Sequence, residues 1–132
     1  MNFGFGKRQK PLVLCIDDQE MSYPLVQDVL NELNCDSLYA PGANEGILMA
    51  EKQKPDVILL DYNMPEIDGP SACTIIKNNP LIRDIPILML TSIDTIRDID
   101  RAMAAGASGY IVKPVMLERL KPKLESLLQG KF

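Results

Sequence analysis

Residues Asp56–Gly69 read D-V-I-L-L-D-Y-N-M-P-E-I-D-G. Val57–Leu60 is a short, wholly apolar run with β-branched residues, the pattern of a strand covered on both faces. It closes on a carboxylate, Asp61, and the chain then breaks at Asn63, Pro65, Asp68 and Gly69, residue types that favour turns. An Asp at the end of a buried strand sits on the rim of the sheet. There it is held rigidly yet stays reachable, as a nucleophile or metal ligand must be. By itself Asp61 could equally start a turn and do nothing more; its company elsewhere in the chain decides between the two.

Four further runs carry the strand pattern. Leu12–Ile16 ends at Asp17-Asp18, the weaker Ser37–Ala40 is closed by Pro41-Gly42, Pro86–Leu90 ends at Thr91-Ser92, and Gly109–Val112 precedes Lys113-Pro114. Helical spacing fills the intervals. A first helix is expected from Ser22, as N-cap, to about Leu33, with Leu25, Val26, Val29, Leu30 and Leu33 inward and Pro24 in its first turn, where proline is tolerated. The second covers Asn44–Gln53 with Ile47, Leu48 and Ala50 inward, and the third runs from Pro70 to Asn78. The fourth, Asp94–Ala105, turns Ile96, Ile99, Ala102, Met103 and Ala105 to the core and has Gly106 for its C-cap,. The last is Leu117–Gln129, with Leu120, Leu124, Leu127 and Leu128 as its stripe. Pro122 is awkward there, so either its first turn is irregular or the regular helix begins near Lys121. Five strands alternating with five helices predict an α/β sandwich around a parallel sheet.

A chain of 132 residues is one domain with room for a core. We expect residues 11–130 to form it and residues 1–10 to be a mobile tail. Lys7, Arg8 and Lys10 have no apolar segment behind them, so the tail is no secretory signal. No apolar run approaches a membrane span, and the expected location is the cytoplasm. A net charge of −4 argues against direct nucleic-acid binding, which needs a basic patch. Cys15, Cys35 and Cys73 fit no zinc spacing, and no His is present to complete one,. They read as reduced, structural thiols.

In an open parallel sheet, ligands bind at the carboxyl ends of the strands. Asp17 and Asp18, Asp61, Thr91 and Lys113 each follow a different apolar run, which helix capping alone does not explain. Converging carboxylates repel, and a divalent cation relieves the repulsion. All-oxygen ligation without His or thiolate suits Mg²⁺. A lysine opposite supplies a compact positive charge, and a threonine hydroxyl can donate to a bound oxygen. The set suits a phosphoryl group, with one carboxylate left as nucleophile. Asp17-Asp18-Gln19-Glu20 stands where a nucleotide fold needs a glycine-rich turn, so the phosphate arrives on a small donor or another protein.

I-D-D at 16–18, L-D-Y-N-M-P-E-I-D-G at 60–69, L-T-S at 90–92, A-A-G-A at 104–107 and Y-I-V-K-P at 110–114 resemble the motif set of the response-regulator receiver domain, the CheY-like family of two-component signal transduction. The resemblance runs from about Leu12 to Leu128. It implies a (βα)5 flavodoxin-like three-layer sandwich with strand order 2-1-3-4-5. It also implies Asp61 as phosphoacceptor, Asp18 as direct Mg²⁺ ligand, Asp17 acting mostly through water, and Asn63 contributing its backbone carbonyl. Thr91 and Lys113 would hold phosphoryl oxygens, and Thr91 with Tyr110 would form the switch. The implied partners are a sensor histidine kinase or His-containing phosphotransfer protein and a downstream output protein or domain.

Two rivals remain open at this point. A degenerate receiver would keep the fold as a phosphorylation-independent binding module, although no site residue is missing. An aspartate-nucleophile phosphohydrolase would place a second Asp two residues beyond the nucleophile, where this chain has Asn63. The chain is either a stand-alone receiver or the N-terminal part of a longer regulator. D-D-Q-E-M and N-P-L-I-R-D-I-P look like receivers that precede diguanylate cyclase domains. Ile93 is apolar where many receivers have a polar residue, which would slow attack by water.

Overall fold

The computed structural model describes residues 9–92 and 95–129. Five strands, β1 (Leu12–Ile16), β2 (Asp36–Ala40), β3 (Val57–Asp61), β4 (Ile87–Thr91) and β5 (Gly109–Val112), alternate with five helices. These are α1 (Tyr23–Glu32), α2 (Ala43–Gln53), α3 (Gly69–Lys77), α4 (Ile96–Ala104) and α5 (Leu117–Leu127). The strands form one parallel sheet in the order β2-β1-β3-β4-β5, the flavodoxin-like arrangement.

Alternation along each strand divides the core in two. Leu14, Ile16, Ile58, Leu60 and Met89 pack toward Ala50, Ile76 and Ala102, the contributions of α2, α3 and α4. Val13, Cys15, Leu59, Leu88 and Ile111 pack toward Val26, Leu30, Leu120 and Leu124 of α1 and α5. Each such leucine or isoleucine, fully buried, contributes about 1.5–3 kcal/mol. Because β1, β3 and β4 are buried along their whole length, every polar group they carry is pushed to their ends. Asp56 marks the opposite rim: its carboxylate accepts from the Leu12 N–H at 2.8 Å, and its own N–H donates to the Leu12 carbonyl at 2.7 Å.

Several helical details differ from expectation. A single 3-10 turn at Glu20–Ser22 precedes α1, and Ser22 has helical backbone angles and makes no side-chain cap. Pro24 still falls in the first turn. Leu25, Leu48, Ile96 and Met103, expected inward, are exposed at 68%, 58%, 78% and 45%. Only Ala102 is fully buried on α4, because that helix covers the edge of the sheet and needs a narrow apolar stripe. Neither option for Pro122 holds: α5 begins at Leu117 and runs through Pro122. The proline faces solvent, where the Glu118 carbonyl that loses its helical donor can bond to water. Gly106 takes the left-handed conformation, φ 106°, just past α4. The three cysteines are free and buried. Of the expected tail only Gln9 and Lys10 are described, both exposed. Ile93 and Asp94 lie outside the described residues, and so does the idea attached to Ile93.

Candidate functional site

The register of the sheet brings the polar strand ends to one edge. Ile16 pairs with Leu60, Asp61 with Leu90, and Thr91 with Val112, so Asp17, Asp61, Thr91 and Lys113 emerge side by side. Ligand oxygens of Asp17, Asp18 and Asp61 all lie within 4.8 Å of one another. Asp17 and Asp61 are buried and Asp18 is exposed. The Lys113 ammonium stands 3.1 Å from Asp61 Oδ1 and 3.2 Å from Asp17 Oδ2. Thr91 is buried at the end of β4. Asn63 is exposed, two residues past Asp61. A cleft of about 190 Å³, lined by Asp18, Gly42, Glu45, Met64 and Pro65 among others, opens beside Asp18.

Local chemistry fixes these positions. The Gln19 N–H donates to Asp17 Oδ1 at 2.8 Å. Past β3 the Tyr62 N–H donates to the Leu90 carbonyl at 2.7 Å, and the loop closes when the Gly69 N–H reaches the Tyr62 carbonyl at 2.8 Å. A Cβ at Gly69 would stand 2.5 Å from the Asp61 carbonyl oxygen and 2.8 Å from Tyr62 Cα, so the close approach demands glycine. Asp68 caps α3 by accepting from the Ser71 N–H at 2.9 Å,. The Lys113–Pro114 peptide is cis.

Burial, and after it the charge of Asp17, push the Asp61 carboxyl from 3.8 up to about 6, against the pull of Lys113. At pH 7 the carboxylate form still outnumbers the acid by about tenfold. Burial works to lower Lys113, but Asp61 and Asp17 outweigh it and hold the ammonium above its usual range. Asp17 and Asp61 therefore share the Lys113 ammonium with Asp18 alongside, and among the described residues the cluster remains short of positive charge. That deficit and the all-oxygen donor set fit a hard divalent cation such as Mg²⁺, with Asp17, Asp18 and Asp61 available to hold it.

A second network was not anticipated. The Tyr62 hydroxyl donates to Asp98 Oδ1 at 3.1 Å, Arg101 also reaches that hydroxyl, and Arg101 pairs with Asp68 at 2.9 Å. Thr95 and Asp98 cap α4 reciprocally, by Thr95 Oγ1 to Asp98 Oδ2 at 2.8 Å and Asp98 N to Thr95 Oγ1 at 3.3 Å. The residue following Asp61 is thereby tied to the first turns of α4. The T-x-x-D spacing at 95–98 was a readable cap signal, whereas nothing local pairs Tyr62 with a helix 36 positions on. Tyr110, half-buried on β5, packs against the core cluster and lies 5.8 Å below the Lys123 ammonium.

A sequence profile of the response regulator receiver domain matches residues 13–125. The DNA-binding dual master transcriptional regulator RpaA of Synechocystis is 32% identical over 119 residues, 90% of this chain and 49% of that protein. The chain spans about half the length of the first curated relatives it matches. Among solved structures, the Vibrio cholerae chemotaxis protein CheY4 gives a TM-score of 0.84 at 29% identity, covering 90% of this chain and 99% of that one. The receiver domain of the Pseudomonas aeruginosa sensor histidine kinase PA1611, solved with magnesium coordinated in its active-site cleft, gives 0.83 at 25% identity over 92% and 99%.

Proposed function

The chain belongs to the response regulator receiver domain family, and on that premise we propose that Asp61 accepts a phosphoryl group in a Mg²⁺-dependent reaction. The donor is a phosphohistidine on a sensor kinase or phosphotransfer protein. The observation that carries this reading is the position of Lys113 within 3.2 Å of both Asp61 and Asp17, with Asp18 alongside.

The ionised Asp61 needs no general base. One of its oxygens bonds to phosphorus as the phosphorus–nitrogen bond breaks, and the imidazole nitrogen keeps that electron pair. Charge in the loose transition state spreads over three phosphoryl oxygens. Lys113, already poised at Asp61, turns its ammonium to one of them, and the Thr91 hydroxyl donates to another. Mg²⁺, when held by Asp17, Asp18, Asp61 and the Asn63 carbonyl, supplies the further positive charge that the site lacks. Attack of water on phosphorus later returns the free carboxylate and inorganic phosphate.

The output is a shift of the α4–β5–α5 face, with Thr91 and Tyr110 as the switch pair. Tyr110 is half-buried on β5, against the core and beneath Lys123. Ile96 and Met103 give α4 exposed apolar contacts for an output domain or protein. A ligand shifts such an equilibrium only by binding its two states unequally. The DNA binding named for the Synechocystis relative belongs to that protein; a net charge of −4 argues against direct nucleic-acid binding by this chain. This reading keeps the domain at residues 11–130 and in the cytoplasm. A phosphorylation-independent module is the weaker alternative, since the three acids, Thr91 and Lys113 are all present.

The test is incubation with acetyl phosphate and MgCl₂ followed by intact-mass measurement. Wild type gains one phosphoryl group, while Asp61→Asn and EDTA-treated protein gain none. A wild type that stays unmodified ends the proposal.

A further inference from the structure

Asp17 is the first residue beyond β1, and both of its peptide groups are tied to β2. Its N–H donates to the Ala40 carbonyl at 3.1 Å, and its carbonyl accepts the Tyr39 hydroxyl at 2.7 Å. The ladder between the two strands ends at the Ile16–Ala40 pair. The phenol thus carries the hold of β2 one residue past the last rung. Tyr39 is itself fixed: its ring stacks on Tyr23 with centroids 5.1 Å apart and planes at 26°. Apart from that stack, the Tyr23 hydroxyl shares a 2.7 Å hydrogen bond with Ser37 Oγ, in which Tyr39 takes no part.

The Asp17 carbonyl belongs to the peptide unit that bears the N–H and Cα of Asp18. Lys113 grips Asp17 and Asp61, whereas Asp18 is the solvent-exposed acid of the three. The direction of the Asp18 carboxylate therefore depends on the plane of the 17–18 peptide, and the Tyr39 hydroxyl sets that plane. We propose that Tyr39 is a positioning residue for the acidic site, holding the Asp17–Asp18 peptide so that Asp18 is aligned before a divalent cation arrives. The inference rests on reading the three acids as a Mg²⁺ site. A pre-aligned ligand spares the cation the ordering of a loose one.

Loss of an outer partner of a ligand weakens metal binding by about 10–100-fold. Tyr39 acts through a backbone carbonyl, one step further back, so a weakening of about 3–10-fold is expected on the same scale. The experiment is calorimetric titration of MgCl₂ into the whole chain, wild type against Tyr39→Phe, which keeps the ring and the stack and removes one oxygen. The Mg²⁺ dissociation constant rises by that factor, and the Mg²⁺ concentration for half-maximal phosphorylation by acetyl phosphate rises with it. Tyr23→Phe loses a hydroxyl bond of the same length, to Ser37, and keeps wild-type Mg²⁺ affinity despite a comparable loss of stability. p-Aminophenylalanine at position 39, which offers an N–H donor at the same place, restores tight binding. Equal Mg²⁺ affinity in wild type and Tyr39→Phe overturns the inference and leaves the phosphoacceptor reading standing. An equal loss in Tyr23→Phe also overturns it, since stability alone would then be the cause. A wild type that binds no Mg²⁺ overturns both.

Discussion

Replacing the proposed phosphoacceptor with asparagine is expected to make the metal-free protein more stable at neutral pH. Asp61 is 4% exposed, and burial followed by the charge of Asp17 raises its carboxyl from 3.8 to about 6. A shift of one unit is worth about 1.4 kcal/mol, so the ionised form costs the folded state about 3 kcal/mol relative to the unfolded chain. Because the folded value lies above the unfolded one, the folded protein binds more protons between the two. Stability therefore falls as pH rises from about 4 to about 6, and the full cost is present above that window. Asparagine removes the charge but still buries an amide, and it takes one of the two carboxylates from Lys113, which keeps Asp17 at 3.2 Å. A net gain of about 1–3 kcal/mol remains, or a rise in Tm of roughly 3–10 °C for a domain of this size.

The assay is thermal denaturation followed by far-UV circular dichroism in EDTA, at pH 7.5, 6, 5 and 4, for wild type and Asp61→Asn. The difference between them is largest at pH 7.5 and shrinks to about 0.5 kcal/mol at pH 4, where the folded carboxyl is protonated and the unfolded one about half so,. Adding Mg²⁺ at neutral pH closes the gap from the other side, because cation binding stabilises the charged wild type by about 2.7 kcal/mol at a hundred times its dissociation constant. An asparagine variant that is no more stable at pH 7.5 would refute the reasoning. So would a gain of the same size at every pH, because desolvation and repulsion of a titrating charge could not then be its source.

Lys113→Met leaves Asp17 and Asp61 facing each other without a cation. Lys113 is 22% exposed at its side chain, which discounts the penalty for a broken buried pair to about 2 kcal/mol, read by urea denaturation at pH 7. Gly69→Ala forces a Cβ against the Asp61 and Tyr62 backbone and is expected to cost about 1–3 kcal/mol in the same measurement; a neutral result would mean that the loop is not locked against β3. Arg101→Ala removes a pair whose arginine is half exposed, so its cost to global stability is small. Its larger effect is local: hydrogen exchange speeds up in the first turns of α4, and unchanged exchange there would show that the Asp68–Arg101–Tyr62 contacts do not hold the helix.

Strand positions, sheet class and the acid cluster were legible because each rests on a local rule. An apolar run of about five residues between turn signals is a buried strand, and a charge following it goes to the rim because the interior will not take it. Asp17, Asp18, Asp61 and Lys113 are found together for that reason. Tyr62, Asp98 and Arg101 were not found, because their contact depends on where α4 docks against the loop after β3. Tyr39 escaped for a related cause. Its half-buried position on an edge strand is ordinary by pattern, and only the stagger between β1 and β2 aims its hydroxyl at Asp17.

The exposed apolar residues show where residue identity misled and geometry would have served better. Successive helix positions turn by about 100°. On α2 the buried residues Ala43, Gly46 and Ala50 recur at spacings of three and four, the signature of one face. Leu48 lies two positions from both Gly46 and Ala50, about 200° from either, and so on the far side. Its size suggested the core, but the small residues are what let α2 approach β1: a Cβ at Gly46 would stand 2.7 Å from Ile16 Cγ1. On α4, Ile96 and Met103 are seven positions apart and share one stripe, turned about 100–120° from the buried Ala102. Ile99 lies between that stripe and the core and is half-buried. An apolar stripe beside the inward face adds nothing to the core, and on α4 it stands exposed on a helix tied at its first turns to the residue after Asp61.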